Sequence, residues 1–463
     1  MVGERVRPER FHGVGCAVAA SCAAIAVAMA SLPAVAQVRS YAAAETLTLD
    51  NAIAAAVAGN LRLSNATLDV QKAGDSVDAA RTLRYPSLQL DVLGSHNLTS
   101  QAYTFDQGVF GNYPIIGPIP ATPTTISSQS GFSSIISASV SQPLTQLYKL
   151  NLNVEGHQIE QSMAEEQVRS RRQALVKDVK QQYFEILKTE SSLAATEESI
   201  AFYRELAALV ERYVAERVAL QYQSLEARTR LARSEHKART ERNALQTQKE
   251  RLNNLMGRDV RTPFTVAGVR GFDGPAPDAA RAGEIALASR PEVAQALLKL
   301  QQAEVGYEIK RADYIPDLSL VMRYSRLGNV QFIPSEVWTV GLEFRWELYD
   351  WGRKEAQLGQ RGVDVQQAHN DIRLARSQVL MEVDDDLRQL EDARSYIQVA
   401  EMGQAASREK LRVLMNQYRE RAVLLSDLMQ AESELADANS EYQRALLSVL
   451  SARAALDKTL GVD

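Results

Sequence analysis

The sequence has little cysteine, few aromatic residues and no strong excess of charge of either sign. Its only cysteines, Cys16 and Cys22, lie in the first 36 residues, so the rest of the chain has neither disulfides nor thiol chemistry. Aromatic residues make up 6%, and long stretches rich in Ala, Leu, Glu, Gln and Arg favour extended helices over compact cores. The 52 Lys and Arg against 57 Asp and Glu give a net charge of -5, which argues against a nucleic-acid partner.

Motifs for catalysis and metal binding are also missing. The sequence contains no G-x-S-x-G, Walker or G-x-G-x-x-G motif, and its histidines lack the H-x-x-H and H-E-x-x-H spacings of zinc sites. Asp384, Asp385 and Asp386 are consecutive, and a helix would point three consecutive carboxylates in different directions. A solvated face is therefore favoured for them over a metal cage, with lumen lining as the alternative. The sequence predicts no enzyme, no cofactor and no metal site.

Residues 1–36 have the features of a secretory signal peptide. Three arginines precede an apolar run at residues 14–29, and Ala34-Val35-Ala36 supplies an A-x-A cleavage site. Lipidation of Cys22 is the alternative to cleavage after Ala36. After residue 36 no apolar run reaches the ~18 residues of a membrane-spanning helix.

The remaining sequence contains an internal duplication, with two similar halves. Residues 60–86 and 290–316 share their spacing up to a proline, and each is followed by a short alternating segment, Ser-Leu-Gln-Leu or Asp-Leu-Ser-Leu. The similarity continues in the later segments of the two halves and closes at Leu255-Met256-Gly257 and Thr459-Leu460-Gly461. A duplication on this scale predicts one architectural unit per half.

Each repeat alternates helical spacing with strand spacing. Leu88, Leu90 and Val92 alternate with polar residues, which is the period of a strand with one apolar and one polar face. A long helical stretch follows each strand pair, at residues 147–213 and 353–418, and the first carries a coiled-coil heptad. The first repeat is predicted at 37–257, with strands 87–97 and 132–142 joined by a loop at 97–131, and a return helix at 223–256. A Gly- and Pro-rich linker follows at 258–282. The second repeat is predicted at 283–463, with strands 317–327 and 337–347 and a return helix at 427–460.

The alternating strand faces suit a transmembrane β-barrel, with a small soluble sandwich as the alternative. Strands of ~9–11 residues cross a bilayer with their apolar face toward lipid, and Trp346, Tyr349 and Trp351 stand where an interfacial aromatic girdle would fall. Two strand pairs are too few for a membrane barrel, which needs ~8 strands because an open edge in lipid is prohibitive. A barrel therefore has to be shared between chains.

The signal segment, the duplicated halves, the long helical hairpins and the strand pairs entered through Tyr85-Pro86 and Ile315-Pro316 together resemble the TolC family of outer-membrane channel proteins. The junction segments Val140-Ser141-Gln142-Pro143-Leu144 and Leu348-Tyr349-Asp350-Trp351-Gly352-Arg353 resemble those of the family. The resemblance implies a mainly α fold in which duplicated helical hairpins form an α-barrel and a homotrimer closes one β-barrel of ~12 strands.

The resemblance also implies a function and partners. The protein would be the exit channel of a tripartite efflux or secretion system in the outer membrane of a Gram-negative bacterium. Its β-barrel would contact outer-membrane lipid, and a large helical part would extend through the periplasm. Its partners would be a periplasmic adaptor protein and an inner-membrane transporter. The sequence does not distinguish drug efflux, metal efflux and protein secretion. The alternative function is a periplasmic coiled-coil scaffold or tether without a channel.

The family's periplasmic entrance maps onto the hairpin turns. Tyr418 and Asp427 match the pattern of the gate tyrosine and of an aspartate that rings the entrance, although both could be ordinary hairpin residues. The residues that would form the adaptor-docking tips are Arg217, Val218, Arg421 and Ala422. Arg217 and Arg421 depart from the family's turn glycine, Val423 from a gate-bridging arginine, and Gln430 from a second aspartate.

Overall fold

The first repeat unites short helices, a strand pair and one very long helical hairpin. The computed structural model describes residues 45–128, 131–269, 278–328, 334–420 and 422–461, so the predicted signal segment and Cys22 lie outside the described residues. The elements of this repeat are β1 (Glu45–Leu47), α1 (Leu49–Gly59), α2 (Leu61–Thr82), β2 (Ser87–Asn97), β3 (Gln101–Phe105), β4 (Asn112–Tyr113), β5 (Gly117–Pro118), β6 (Thr124–Ser128), β7 (Gly131–Pro143), α3 (Leu147–Ala215), α4 (Gln221–Leu255) and β8 (Phe264–Val266).

The second repeat has the same order of helices and long strands. Its elements are α5 (Ala279–Ser289), α6 (Pro291–Arg311), a single 3₁₀ turn (Ala312–Tyr314), β9 (Asp317–Gly328), β10 (Glu336–Arg345), α7 (Arg353–Arg419) and α8 (Leu425–Thr459). With 69 residues in α3 and 67 in α7, each long helix reaches roughly 100 Å at ~1.5 Å per residue. The long helices, the return helices and the predicted strand pairs are all present within a few residues of their predicted bounds.

The four long strands form one antiparallel sheet in the order β10-β9-β7-β2. Its register aligns the apolar positions of all four strands on one face, because Leu342 pairs with Leu320, Val340 with Met322, and Val140 with both Met322 and Leu88. The residues next to these apolar positions in sequence face the other way, so Ser319 and Glu343 pair with each other on the opposite, polar face of the sheet. The period-two pattern of the sequence therefore becomes a sheet with two chemically distinct faces.

The strand-to-helix junctions tie the two repeats together. Thr145 accepts a hydrogen bond from the Leu318 N–H at 2.8 Å and donates one to the Pro316 carbonyl at 2.7 Å. In the second repeat, the Asp350 carboxylate accepts from the N–H groups of Gly352 at 3.2 Å and Lys354 at 2.8 Å. The two Asp350 bonds satisfy backbone donors that the first turn of a helix leaves open, so α7 begins here.

Two regions have more structure than the sequence pattern predicts. The segment 97–131, predicted as a loop, contains two small hairpins, β3 with β6 and β4 with β5. The predicted linker contains β8, which pairs in parallel with β1 although more than 200 positions separate them in the sequence. The reason is burial, since Leu47 of β1 and Phe264 of β8 are both nearly inaccessible and pack on the core of the first repeat.

That core is organised around Tyr183 of α3, which is fully buried. Its hydroxyl donates to the Ala267 carbonyl at 2.6 Å and lies 2.9 Å from the Leu47 carbonyl oxygen. Burial raises the pKa of Tyr183, while the hydrogen bond to Ala267 works in the opposite direction. The hydroxyl thus holds both strands of the β1–β8 pair against the long helix.

A glycine ends the return helix of each repeat in the left-handed region, Gly257 with φ 69° and Gly461 with φ 73°. A Cβ on Gly257 would lie 1.9 Å from the Gly59 carbonyl oxygen, so only glycine fits there.

None of the helices in the described ranges combines the length and the apolar character that a membrane-crossing helix needs.

Candidate functional site at the hairpin tips

The ends of the two helical hairpins pack together in one apolar cluster, here called the tip cluster. Its buried members come from α3, α7 and α8, and partly buried residues of α3, α4, α7 and the α7–α8 connection surround them. The buried members are Tyr203, Leu206, Val210, Tyr418, Leu425, Leu428 and Met429. Apolar residues of both repeats therefore stabilise the tips jointly.

Tyr418, the predicted gate tyrosine, lies within this cluster. Its side chain is 8% exposed, and its ring centroid is 6.3 Å from that of Tyr213 at an interplanar angle of 49°. Burial raises the pKa of Tyr418, and the neighbouring Tyr213 adds to the effect. Within one protomer, Tyr418 therefore links α7 to α3 by aromatic packing.

Asp427, the predicted entrance aspartate, lies on the surface near the N-terminus of α8. Its carboxylate accepts a long hydrogen bond of 3.4 Å from the Leu424 N–H. In the first repeat, the Gln223 side chain accepts from the Leu220 N–H at 3.0 Å in the same position. Asp427 thus has a local role in capping α8, and its negative charge is also favourable at the N-terminal end of a helix.

The turn between α3 and α4 places Arg217 in a conformation that favours glycine, with φ 62°. The Arg217 N–H donates to the Val214 carbonyl at 3.0 Å, and the Val218 N–H donates to the Tyr213 carbonyl at 2.8 Å. These two bonds form a Schellman motif, in which a left-handed residue ends the helix. The side chains of Arg217 and Val218 are both exposed.

The turn between α7 and α8 has a backbone bond of the same span. The Ala422 N–H donates to the Gln417 carbonyl at 2.8 Å, and Ala422 is exposed. Arg421 lies outside the described residues. Val423, which stands where the family can have a gate-bridging arginine, packs against the tip cluster, while Gln430 donates to Glu434 at 3.2 Å.

The structure adds one titratable residue that sequence reasoning missed, Glu432 of α8. It is 5% exposed, and it lies at the α3–α8 interface near Ser199. Burial raises the pKa of Glu432, the Ser199 hydrogen bond opposes this, and the charge of Glu198 reinforces it. Burial, with a smaller contribution from Glu432, also raises the pKa of Tyr203 to about 12. The helical spacing Leu425, Leu428, Met429, Glu432 was the signal that could have placed this glutamate on the buried face.

The aspartate triplet of α7 does not converge on one point. Asp386 accepts a hydrogen bond from Thr459 of α8, Asp385 accepts from Gln389 at 2.7 Å on its own helix, and Asp384 is exposed. The three carboxylates therefore point to different surroundings, as the helical geometry predicts. Across the described residues, no group of three or more His, Cys, Asp and Glu side chains has an arrangement that could hold a metal ion.

The sheet forms the second part of the candidate site. Its polar face contains a concavity of about 460 Å³, whose lining residues are Gln89, Asp91, Leu93, Ile135, Ser137, Ser139, Arg323 and Ser325. The opposite face exposes large apolar side chains, among them Val340 and Leu342, which are 71% and 66% accessible. A sheet with a polar concave face and an apolar outer face has the chemistry of a membrane barrel wall.

Exposed aromatic residues follow the sheet at its helical end. Trp346, Tyr349 and Trp351 are 51%, 71% and 86% accessible, and the rings of Tyr349 and Trp351 are 4.8 Å apart. Tyr85 and Tyr148, at the junctions of the first repeat, are 70% and 49% accessible. The strand-to-helix junctions of both repeats therefore carry exposed aromatic rings, as an interfacial girdle requires.

Several solved structures resemble this fold. CusC aligns with a TM-score of 0.74 and 20% identity over 90% of this chain and 92% of that chain. The CmeC outer membrane channel of Campylobacter jejuni aligns with a TM-score of 0.73 and 15% identity, over 89% and 85%. The MtrE outer membrane channel of Neisseria gonorrhoeae, in its open state, aligns with a TM-score of 0.67 and 18% identity, over 89% of each chain.

The sequence comparisons identify the family. No curated protein matches the sequence significantly. The family described as outer membrane efflux protein matches in two segments, residues 52–258 and 283–462, which coincide with the two repeats. Because these segments cover most of the sequence, the chain belongs to the outer membrane efflux protein family and is an exit channel of the outer membrane.

Proposed function

We propose that three copies of this chain form the exit channel, with their strands closing one β-barrel and their helices forming a periplasmic tunnel. The observation that carries the proposal is the sheet, which has an apolar outer face, a polar concave face, and β2 and β10 as its edges. Unpaired edges in lipid cost several kcal/mol per backbone group, so the edges must pair with those of other copies. Cargo would pass along the polar interior without a chemical reaction.

The oligomeric state tests this directly. Native mass measurement of the detergent-extracted protein should show a trimer, since a four-stranded sheet cannot close by itself. A folded monomer extracted from the outer membrane would contradict the proposal. Membrane fractionation distinguishes the channel from a periplasmic scaffold or tether, which would remain in the periplasmic fraction.

At the periplasmic end, we propose that the tips dock with a periplasmic adaptor joined to an inner-membrane transporter. Arg217, Val218 and Ala422 are exposed at the two turns, as a docking surface requires. Arg217 and Arg421 would pair with acidic or carbonyl groups of the adaptor through charge-assisted hydrogen bonds. Such contacts weaken with rising salt, because ions screen exposed charges.

Glycine variants test this contact. A glycine at Arg217 suits the observed φ of 62°, so a loss of binding by the single variant R217G cannot be ascribed to a strained first turn. The R217G/R421G double variant should lose affinity for the native adaptor and much of the salt dependence, while its trimers stay intact. The control R239Q removes an exposed charge of α4 away from the turns. Equal binding by the parent and the double variant at every salt concentration would make the arginines solvent-facing turn residues.

We further propose that Asp427 of three chains forms a negative ring at the entrance, which favours cations and binds polyvalent blockers. D427N is an informative variant because its amide oxygen can still accept from the Leu424 N–H while the charge is lost. Single-channel recordings of D427N should show lower cation selectivity and weaker block. The control D75N makes the same change at an exposed position of α2. Unchanged currents in D427N would leave Asp427 as a helix-capping residue only.

A further inference from the structure

The connection between β2 and β7 is a structured projection, here called the exit arm and defined as residues 101–128. The β3–β6 hairpin forms its base, and the β4–β5 hairpin lies near its end. Between them, the Phe110 N–H donates to the Ile119 carbonyl at 2.9 Å and the Gly108 N–H donates to the Pro120 carbonyl at 3.0 Å. Backbone hydrogen bonds therefore order the arm along most of its length.

The end of the exit arm is apolar and solvent-exposed. Ile115 is 98% accessible and Ile116 is 74% accessible, and they form the turn between β4 and β5. Val109 and Phe110 nearby are 55% and 56% accessible. Exposed apolar groups that cluster at the end of an ordered projection typically mark an interaction site.

The topology places the arm at the exit of the channel. The β2 strand follows α2 and the β7 strand leads into α3, so their connection lies at the end of the sheet opposite the helices. The corresponding connection of the second repeat, between Gly328 and Glu336, is much shorter. Each chain therefore contributes one long arm.

We propose that the exit arms of three copies meet at Ile115 and Ile116 and form an apolar cover over the channel mouth. The inference rests on the trimer of the proposed function, which places three arms around one axis at the same height. An apolar constriction of this kind opposes the passage of water and ions by dewetting. Because the arm is already ordered by hydrogen bonds, bringing the tips together costs little conformational entropy.

The low charge of the exit arm indicates that its apolar tip contacts other copies of this chain and not a lipid surface. Asp106 is the only charged residue in the arm sequence, which contains no Lys or Arg. Anionic lipid headgroups attract clusters of Lys and Arg, which the arm does not offer. Three arms with one carboxylate each can approach one another with little repulsion, and their apolar tips gain by being covered.

Single-cysteine variants test the contact between arms. Both native cysteines precede residue 37, so I115C is predicted to carry the only thiol of the mature chain. Treatment of the purified I115C trimer with a three-armed maleimide should give covalent dimers and trimers on a denaturing gel. The control S127C lies at the base of the arm, paired with Ala102, and should react with a monofunctional maleimide but form no cross-links.

The outcomes separate this inference from the proposed function. An intact trimer in which I115C reacts with the monofunctional reagent and forms no cross-links would contradict the proposed apolar cover. The proposal of a trimeric channel would be unaffected. Protection of I115C in lipid vesicles, without cross-links, would overturn the apolar cover in favour of a lipid contact. The absence of any trimer would refute the proposed function itself.

Conductance provides a second, functional test. The I115D/I116D variant places six carboxylates at the proposed contact, so repulsion should hold the arms apart and raise single-channel conductance several-fold. The control A121D/T122D adds the same charge at exposed positions of the same arm away from its end, and its conductance should match that of the parent. Equal conductance of I115D/I116D and the parent would show that the arms do not restrict the exit.

Discussion

The aromatic rings of Tyr213 and Tyr418 pack against each other with their centroids 6.3 Å apart, and they join the tip of the first repeat to that of the second. Tyr213 also accepts the Val218 N–H through its carbonyl, so the same residue shapes the first turn. A change in the position of α7 at the tip would have to separate these rings. We therefore propose that this contact helps to hold the entrance closed, a role that stays a prediction.

The first prediction concerns that contact. Tyr418→Ala should destabilise the tip by about 3–5 kcal/mol, as expected for truncation of a buried aromatic residue, whereas Tyr418→Phe should be much milder because it keeps the ring. Hydrogen exchange of the amides of α8 near Leu428, a buried tip residue, measures the effect. We expect Tyr418→Ala also to raise spontaneous channel opening in bilayer recordings. Equal exchange in both variants would show that the ring contact contributes little.

The second prediction concerns the backbone at the first turn. Arg217 has φ 62°, a conformation that costs a non-glycine residue about 1–2 kcal/mol, so Arg217→Gly should stabilise the tip by about 1 kcal/mol. Arg217→Ala removes the same side chain but keeps the strain, and it should therefore show no such gain. Thermal unfolding and hydrogen exchange at the end of α3 check this. A stabilisation of equal size in both variants would assign the effect to the side chain.

The third prediction concerns pH and Glu432. Since burial raises the pKa of Glu432, the folded state binds its proton more tightly than the unfolded chain does. The resulting stability is fully present below the ordinary carboxyl pKa and is lost as pH rises through the raised value. The tip should therefore be more stable in mild acid than at higher pH.

Glu432→Gln should remove this dependence and stabilise the tip at neutral pH, by on the order of 1 kcal/mol. The matched control is Glu434→Gln on the same helix, where the hydrogen bond from Lys410 lowers the pKa of the carboxyl, so the control should not stabilise the tip. Hydrogen exchange of α8 at several pH values distinguishes the variants. A parent-like pH dependence in Glu432→Gln would exclude this glutamate as the cause.

The fourth prediction concerns the two faces of the sheet. Leu342, with its partner Leu320, lies on the apolar face, and Leu342→Arg should cost about 2–4 kcal/mol in the middle of a bilayer. Ser319→Arg places the same charge on the polar face, beside Glu343, and should be mild. Urea unfolding of the protein in lipid vesicles measures both. Equal costs on the two faces would mean that the apolar face does not contact lipid.

Part of this structure follows from local periodicity. The change from helical to alternating spacing at Pro86 and Pro316 located the strands, and their alternation fixed which residues share a face. The duplication predicted that the second repeat would copy the first, and the long helical stretches at 147–213 and 353–418 predicted helices of nearly the observed length. These properties depend on the spacing of residues along one segment, which the sequence contains in full.

The tertiary structure decided the features that depend on a distant partner. The β1–β8 pair joins segments far apart in sequence and exists because Leu47 and Phe264 share a buried core. The burial of Tyr418 requires α3 of the other repeat, and the left-handed backbone of Arg217 is held by two turn hydrogen bonds although its side chain does not favour it. Local pattern sets which element forms, whereas the energy of non-local packing and hydrogen bonding sets where that element ends and what it touches.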